Sequence, residues 1–514
     1  MYDATPLFRS YAAWRLPQLA WQRPAVTQER QLLSLVRRAA ATRFGRAHDF
    51  QAIRSVADFQ AAVPLRDYEA MWRDWWQADF PRHVDLTWPG VMPYFALTSG
   101  TSSGTTKYIP CSHEMNAANR KVTADLICFH LRNRPRSRLL GGENFMLGGS
   151  SALRQLAPDV QAGDLSGITA GVIPWWARLR YFPPAELEAI ADWEDKIARM
   201  APLSLRRDIR SISGTPSWLL LYFDHLAALR PTLPRRLAAY WPNLELLIHG
   251  GVNFAPYRPL FADWLADGHA ETREAYAASE GFIAVADRGD GDGLRLSLDA
   301  GMFFEFVPAD ELGAAEPTRH WLGNVEPGIN YVLVMSSCAG VWSYIVGDTV
   351  RFVDLEPPRL LVTGRTSYTL SAFGEHLIDE EIEAAVSAAA ADIAARVVDY
   401  SVGAVFPGGD ESLGGHVYVV EFAGGVPGAA ALAQFAEVLD RTLADANEDY
   451  AAHRAGGFGM RPPRVQAAAP GSFAAWMRSR GQLGGQHKVP RIINDEALFA
   501  GLQRFVEDHR PTAD

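Results

Sequence analysis

The run Thr98-Ser99-Gly100-Thr101-Ser102-Ser103-Gly104-Thr105-Thr106-Lys107 holds seven hydroxyl side chains, two glycines and one lysine. Glycine lets a backbone pass close to a ligand and turn its N–H groups toward an anion. Hydroxyls add rotatable donors, and Lys107 adds a point charge. Such a loop can fold over the phosphates of a nucleotide. It is not a Walker A loop, which reads G-x-x-x-x-G-K-[ST] and opens a helix. Gly100 and Gly104 are four apart, and Lys107 comes three residues after the second glycine. The plain alternative is a polar linker.

Four further segments carry chemistry. In Tyr276-Ala277-Ala278-Ser279-Glu280-Gly281 a hydroxyl adjoins a carboxylate, and Glu280 offers the hard oxygen that Mg²⁺ prefers; taken alone, the segment reads first as a surface Ser-Glu pair. Tyr344-Ile345-Val346-Gly347-Asp348-Thr349 sets Asp348 at an expected strand-to-strand turn, where it can accept from both hydroxyls of a ribose. An ordinary Gly-Asp hairpin is the alternative. Arg365, after Gly364, can reach ribose or phosphate at a hinge, or make an interdomain salt bridge. Lys488, in Gly484-Gly485-Gln486-His487-Lys488, can neutralise charge developing on an acyl phosphate, or be a surface lysine. No Ser/His/Asp arrangement supplies a covalent nucleophile. Cys111 lies near the loop without a partner base and reads as a small buried residue.

The elements that position these residues are legible in outline. Tyr94–Leu97 reads as a strand, and Pro110 pushes Tyr108-Ile109 toward extended backbone. A helix follows from Ser112, a good N-cap, with Met115, Ala118, Val122, Leu126 and Phe129 at helical spacing. Residues 1 to about 90 read as helical, with Trp72, Trp75 and Trp76 near one face. From about 91 to 364 extended apolar runs alternate with helical ones, an α/β pattern; among them are Leu244–Ile248, ending at His249-Gly250-Gly251, and Tyr331–Met335. Beyond a break at Gly364-Arg365 the expectation is a helix at about 379–393 and strands at about 395–406 and 415–422. A helix at about 428–446, a strand near 463–468 and a closing Gly-rich segment complete it. Two domains result: 1–364, with β-sheets and packed helices, and 365–514, a small mobile α+β domain.

A length of 514 residues exceeds one core. The net charge of -10 argues against nucleic acid as a partner. Three dispersed cysteines give neither disulfides nor metal-ligand spacing and point to a reducing cytoplasm. No apolar run approaches the ~18 residues of a membrane span, and the N-terminus lacks a signal-peptide pattern. No obligate protein partner is evident.

The order of the loop, Ser-Glu-Gly, Val-Gly-Asp, Gly-Arg and late lysine resembles the adenylate-forming superfamily of acyl-CoA ligases and peptide-synthetase adenylation domains. More closely, the chain resembles a bacterial form of the Gretchen Hagen family of acyl acid-amido synthetases. That likeness extends through Phe44-Gly45-Arg46, Val63-Pro64-Leu65, Gly214-Thr215-Pro216-Ser217-Trp218, Trp241-Pro242-Asn243, Asn447-Glu448-Asp449-Tyr450 with Arg454, and Gly485–Arg491. The resemblance implies ATP and Mg²⁺ as cofactors. Thr98, Ser99, Gly100, Thr101, Ser102 and Lys107 would hold the β- and γ-phosphates. Ser279 and Glu280 would sit by the α-phosphate and Mg²⁺; Gly250 and Gly251 would line the adenine and acyl pocket with Tyr276 near the nucleoside. Asp348 and Arg365 would hold the ribose, and Lys488 would complete the adenylation site. The superfamily often has Asp after Gly-Arg-x, where this chain has Ser367. Tyr108, Trp218, Phe254 and Phe282 are acyl-pocket candidates, a core role being as plausible for each. The implied reaction joins a small carboxylic acid to an amine or amino acid through an acyl-adenylate. An acyl-CoA ligase and a non-catalytic nucleotide-binding protein are the alternatives.

Overall fold

A computed structural model describes residues 2–99, 106–148, 152–190, 193–251, 254, 257–289, 291–366, 370, 377–405, 414–447, 450–451, 454, 460–482 and 488–509. The chain divides into two compact units, Met1–Val362 and Thr363–Asp514. In chain order the strands of the first are β1 (Tyr94–Ser99), β2 (Thr106–Cys111), β3 (Glu143–Leu147), β4 (Arg154–Ala157), β5 (Val160–Gly163), β6 (Tyr181–Phe182), β7 (Ile209–Gly214), β8 (Leu246–His249), β9 (Glu271–Ala278), β10 (Gly281–Val285), β11 (Leu294–Leu296), β12 (Met302–Pro308), β13 (His320–Trp321), β14 (Asn330–Ser337) and β15 (Tyr344–Leu355), with β16 (Pro358–Arg365) ending it. They form a small sheet, β2-β1-β5-β4, and a long one, β13-β12-β14-β15-β16-β11-β10-β9-β8-β7-β3-β6. β3, β7, β8 and β9 run parallel, while β9 to β16 pair antiparallel where their registers are defined. Every residue of β12 is buried, as expected of a strand covered on both faces.

The hydroxyl-rich run connects two extended segments, as its flanks imply. β1 and β2 pair antiparallel from Tyr94↔Cys111 to Ser99↔Thr106. The helix His113–Asn133 starts where Ser112 accepts the Met115 N–H at 3.0 Å and donates to the Cys338 carbonyl at 2.6 Å. Its face Met115, Ala118, Val122, Leu126 and Phe129 is buried. Trp72–Trp76 winds as one π-helical turn, with Trp76 wholly buried, so core packing explains the tryptophans. Among the described residues no helix is long and apolar enough to cross a membrane.

Helix Thr5–Ala20 is fastened to this frame by charge. The Arg15 guanidinium, 3% exposed, donates to Asp125 at 2.7 and 2.8 Å and to Asp299 at 2.9 Å twice. A planar fork bridging two carboxylates is the geometry arginine alone provides.

The second unit is built on β17 (Val397–Val405), β18 (Gly415–Phe422) and β19 (Arg464–Ala468), in that order, antiparallel then parallel. Side chains alternate across a strand, and β18 uses both faces. Tyr418, Val420 and Phe422 pack with helices Asp379–Asp392 and Ala429–Ala446. Val417 and Val419 pack with Phe473, Trp476, Phe499, Leu502 and Val506. That second cover corrects the expected closing Gly-rich segment: helices Ser472–Ser479 and Glu496–Asp508 stand there. Their apolar periods are short and lie either side of the glycines that dominated the reading. The turn expected at Pro407–Asp410 lies outside the described residues.

Two outcomes follow. Arg15→Met strips the buried Asp125 of its arginine and leaves Asp299 to Lys121, 3.0 Å away, and should cost about 3–5 kcal/mol, read from urea denaturation by tryptophan fluorescence; a loss under about 1 kcal/mol would refute the role given to Arg15. In the second unit, burial pushes the Asp379 carboxyl up from the ordinary 3.8 to about 6, against the charges of Arg491 and Arg365. The folded form therefore binds this proton more tightly than the unfolded form, and stability falls as pH rises from about 4 to about 6. Asp379→Asn should flatten that slope and raise stability at pH 7.5 by about 1–2 kcal/mol; thermal melts across pH 4–8 test it.

Candidate active site

Three turns of backbone bring the motif residues of the first unit together. β9 and β10 close a hairpin at Ala278↔Gly281, so Ser279 and Glu280 are its two loop residues. Contrary to a surface Ser-Glu pair, Glu280 is buried, 7% exposed. Asp348 also departs from expectation. It lies inside the twelve-residue β15, not at a turn between strands. Val332 pairs with Thr349 and Val334 with Ile345, so two steps on β14 face four on β15. The extra residues form a bulge, and Gly347 takes φ +91° there, a conformation that favours glycine. A Gly-Asp pair marks a bulge as readily as a hairpin, which is why the sequence alone pointed to a turn.

The two carboxylates are held crosswise. The Tyr276 hydroxyl donates to Asp348 Oδ2 at 2.6 Å. The Tyr344 hydroxyl hydrogen-bonds to Glu280, and burial together with that carboxylate holds the phenol well above its ordinary pKa. Each tyrosine lies four residues before one carboxylate and bonds to the other. Tyr344 was not singled out in the sequence, although its spacing to Asp348 repeats that of Tyr276 to Glu280. β9 and β15 stand four positions apart in the sheet order, roughly 19 Å in a flat sheet, so the sheet must curl for this bond to form.

The segment before helix Tyr68–Met71 joins this cluster to the hydroxyl-rich hairpin. The Arg66 N–H donates to the Ser343 carbonyl at 3.1 Å, and the Ile345 N–H to the Arg66 carbonyl at 2.8 Å. Tyr68 then accepts the Tyr108 N–H at 3.0 Å, and Lys107 lies 3.2 Å from Glu69. Tyr68 and Glu69 carried no motif signal. Gly100, Thr101 and Ser102 lie outside the described residues, as do the side chains of Thr98 and Ser99, whose backbone ends β1.

Gly250 follows β8 so closely against β9 that a Cβ would sit 2.1 Å from the Ala275 carbonyl oxygen; only glycine is accommodated. Gly251 beside it is exposed. The four acyl-pocket candidates occupy different surroundings. Phe254 is buried and stacks on His249 at 3.6 Å and 17°, and Trp218 is buried in helix Pro216–Leu229. Tyr108 is half-buried beside Phe80 and Trp72 and accepts from Arg154 at 2.8 Å. Phe282, half-buried, follows Glu280 by two residues and donates its N–H to Asn119 at 3.1 Å. The Cys111 thiol is buried and pushed up to about 12, so it stays protonated and is no nucleophile.

In the second unit Lys488 is exposed. The chain just after it is pinned to β17: Ser401 donates to the Pro490 carbonyl, and the Val402 N–H to the Arg491 carbonyl, each at 2.7 Å. Arg365 ends β16, and its charge acts on Asp379.

The set suits a Mg²⁺-bound polyphosphate. Among the described residues no group of three metal-ligating side chains occurs, whereas Glu280 offers a single buried carboxylate oriented by a tyrosine. Mg²⁺ on a nucleotide takes one or two protein carboxylates and fills its octahedron with phosphate and water.

Comparison with known proteins identifies the family. Residues 18–269 match the GH3 family N-terminal domain, 296–365 the GH3 family central domain and 380–497 the GH3 family C-terminal domain. An indole-3-acetic acid-amido synthetase, GH3.8 of Oryza sativa subsp. indica, is 29% identical over 291 residues, covering 52% of this chain and 47% of that protein. GH3.3 of Arabidopsis thaliana, of the same name, is 24% identical over 289 residues with the same coverage. The chain thus spans about half the length of these relatives. Among solved structures, AtGH3.15 acyl acid amido synthetase in complex with 2,4-DB superposes with a TM-score of 0.82 at 18% identity, over 98% of this chain and 97% of that one. A 2-hydroxyisobutyryl-CoA ligase in the postadenylation state gives 0.60 at 17% identity, over 93% and 91%. These superpositions show the fold expected from the sequence, a large N-terminal part of β-sheets and packed helices and a smaller α+β C-terminal one. With family matches along its N-terminal, central and C-terminal parts, the chain belongs to the GH3 family.

Proposed function

We propose that this protein is an ATP-dependent acyl acid-amido synthetase. It would adenylate a carboxylic acid, release pyrophosphate, and transfer the acyl group to an amine or amino acid. The observation that carries the reading is the crosswise tyrosine–carboxylate pair, which ties together the segments of two buried acids of different duty. Asp348, oriented at one oxygen by the Tyr276 hydroxyl, would accept from the ribose hydroxyls. Glu280, oriented by Tyr344, would hold Mg²⁺, which when bound neutralises phosphate charge. Lys107 and the hydroxyls and glycines of Thr98–Ser102 would cradle the β- and γ-phosphates, with Ser279 at the α-phosphate and Gly250, Gly251 and Tyr276 along the nucleoside. Arg365 would reach the ribose.

Attack by the acid on the α-phosphorus is phosphoryl transfer, in which placement and charge supply most of the catalysis. Lys488 would add its charge to the adenylate as that bond forms. The amine would then attack the acyl carbon and expel AMP. The relatives' name, indole-3-acetic acid-amido synthetase, makes aryl acids the first panel to try, with Phe282 and Tyr108 the candidates best placed near Glu280 and Lys107. The likeness to a CoA ligase supports a second reading, the same adenylation followed by thiol capture.

Pyrophosphate release across a panel of acids, followed by mass spectrometry with pooled amino acids or CoA, should give amides. Thioesters alone would establish the second reading, and no release from any acid would sink both. Lys488→Ala should abolish adenylation while retaining ATP binding; wild-type rates would remove Lys488 from the mechanism. Tyr276→Phe removes the hydroxyl that bonds Asp348 and should raise the KM for ATP about 3- to 10-fold with less effect on kcat, so an unchanged KM would show that the bond does not orient the carboxylate.

A further inference from the structure

Lys107 is already engaged in this structure. Its ammonium lies 3.2 Å from Glu69 Oε1 and 4.9 Å from the centre of the Tyr68 ring. The adjoining Tyr108 gives its backbone N–H to the Tyr68 hydroxyl at 3.0 Å. Two consecutive residues of one short helix therefore hold two consecutive residues of β2. That helix has a fixed seat. Asp67 caps it by accepting the Ala70 N–H at 2.8 Å, and Arg66 just before it is paired to Ser343 and Ile345 of the strand that supplies Asp348.

The two contacts differ in character. The Lys107 side chain is 21% exposed and the Glu69 side chain 57%. A pair so open to water is weak, so the carboxylate holds the lysine loosely. The Tyr68 ring, largely buried and with its hydroxyl pushed up to about 12 by burial, gives the ammonium an aromatic face that does not depend on Glu69.

We infer that Glu69 is a positioning residue that acts as a stand-in anion. It holds Lys107 over Tyr68 while the phosphate site is empty and gives the lysine up to the β- and γ-phosphates when they arrive. A polyphosphate with several negative oxygens outcompetes one solvated carboxylate for a point charge. The carboxylate stays nearby and opposes the bound polyphosphate, so it also favours departure of pyrophosphate. This rests on the proposed role of Lys107 at the β- and γ-phosphates.

Isothermal titration at low salt of the wild-type, E69Q and Y68L proteins with MgATP, inorganic pyrophosphate and AMP tests it. E69Q should bind MgATP and pyrophosphate about two- to fivefold more tightly, with the gain shrinking at high salt and AMP affinity unchanged. Y68L should weaken MgATP and pyrophosphate and spare AMP. Unchanged or weaker binding of pyrophosphate by E69Q overturns the inference, as does an equal change for AMP, which a merely structural role would give. A wild-type protein that binds neither MgATP nor pyrophosphate removes the proposed function as well, whereas normal wild-type binding with no E69Q effect removes only the role of Glu69.

Discussion

Two carboxylates buried near one another need partners, and here each takes a tyrosine from the other's segment. An acid out of water is costly unless hydrogen-bonded, and neutral phenols satisfy Glu280 and Asp348 without cancelling their charge. Arginine partners, as at Arg15, would have locked the acids into ion pairs and left nothing for a ligand. The tyrosines orient the acids and leave them charged. Much else in the first unit follows from this exchange: the tight β9–β10 hairpin that presents Glu280, the bulge that turns Asp348 out of line, and the curl that brings β15 to β9.

That curl is itself held from outside. The Arg66 segment pairs with the start of β15 while Tyr68 pairs with β2, so one short stretch of chain fixes the hydroxyl-rich hairpin against the carboxylates. Further out, Arg15 ties the first helix to Asp125, on the helix that follows β2, and to Asp299, just before β12. Arg15 is thus committed to holding the frame, whereas Glu280 and Asp348, partnered by neutral phenols, keep their charge.

What the sequence made legible was local. Pro110 and Ser112 marked where β2 ends and a helix starts, and the apolar spacing from Met115 to Phe129 gave its buried face. Residues whose meaning depends on a distant partner were hidden. Tyr344 and Tyr276 are ordinary strand tyrosines until the sheet curls. Glu69 is an ordinary first-turn acid until β2 brings Lys107 to it. Gly347-Asp348 pointed to a turn because hairpin and bulge share one local requirement, a positive φ. The two last helices were missed because the glycine run between them outweighed two short apolar faces that only β18 makes sense of.

The position of Lys488 completes the argument. The two carboxylates proposed to serve ATP stand on segments that cannot shift without breaking the crosswise bonds, which suits groups needed from substrate entry to product exit. A charge needed for one step alone is better placed elsewhere. Lys488 lies on a unit whose apolar clusters, on the two faces of β18, are its own, and just beside a segment fastened to that unit's edge strand. Such a unit keeps its cores intact whatever orientation it adopts, so under the proposed reaction Lys488 could be offered for adenylation and withdrawn for amide formation without disturbing the acids that hold the nucleotide.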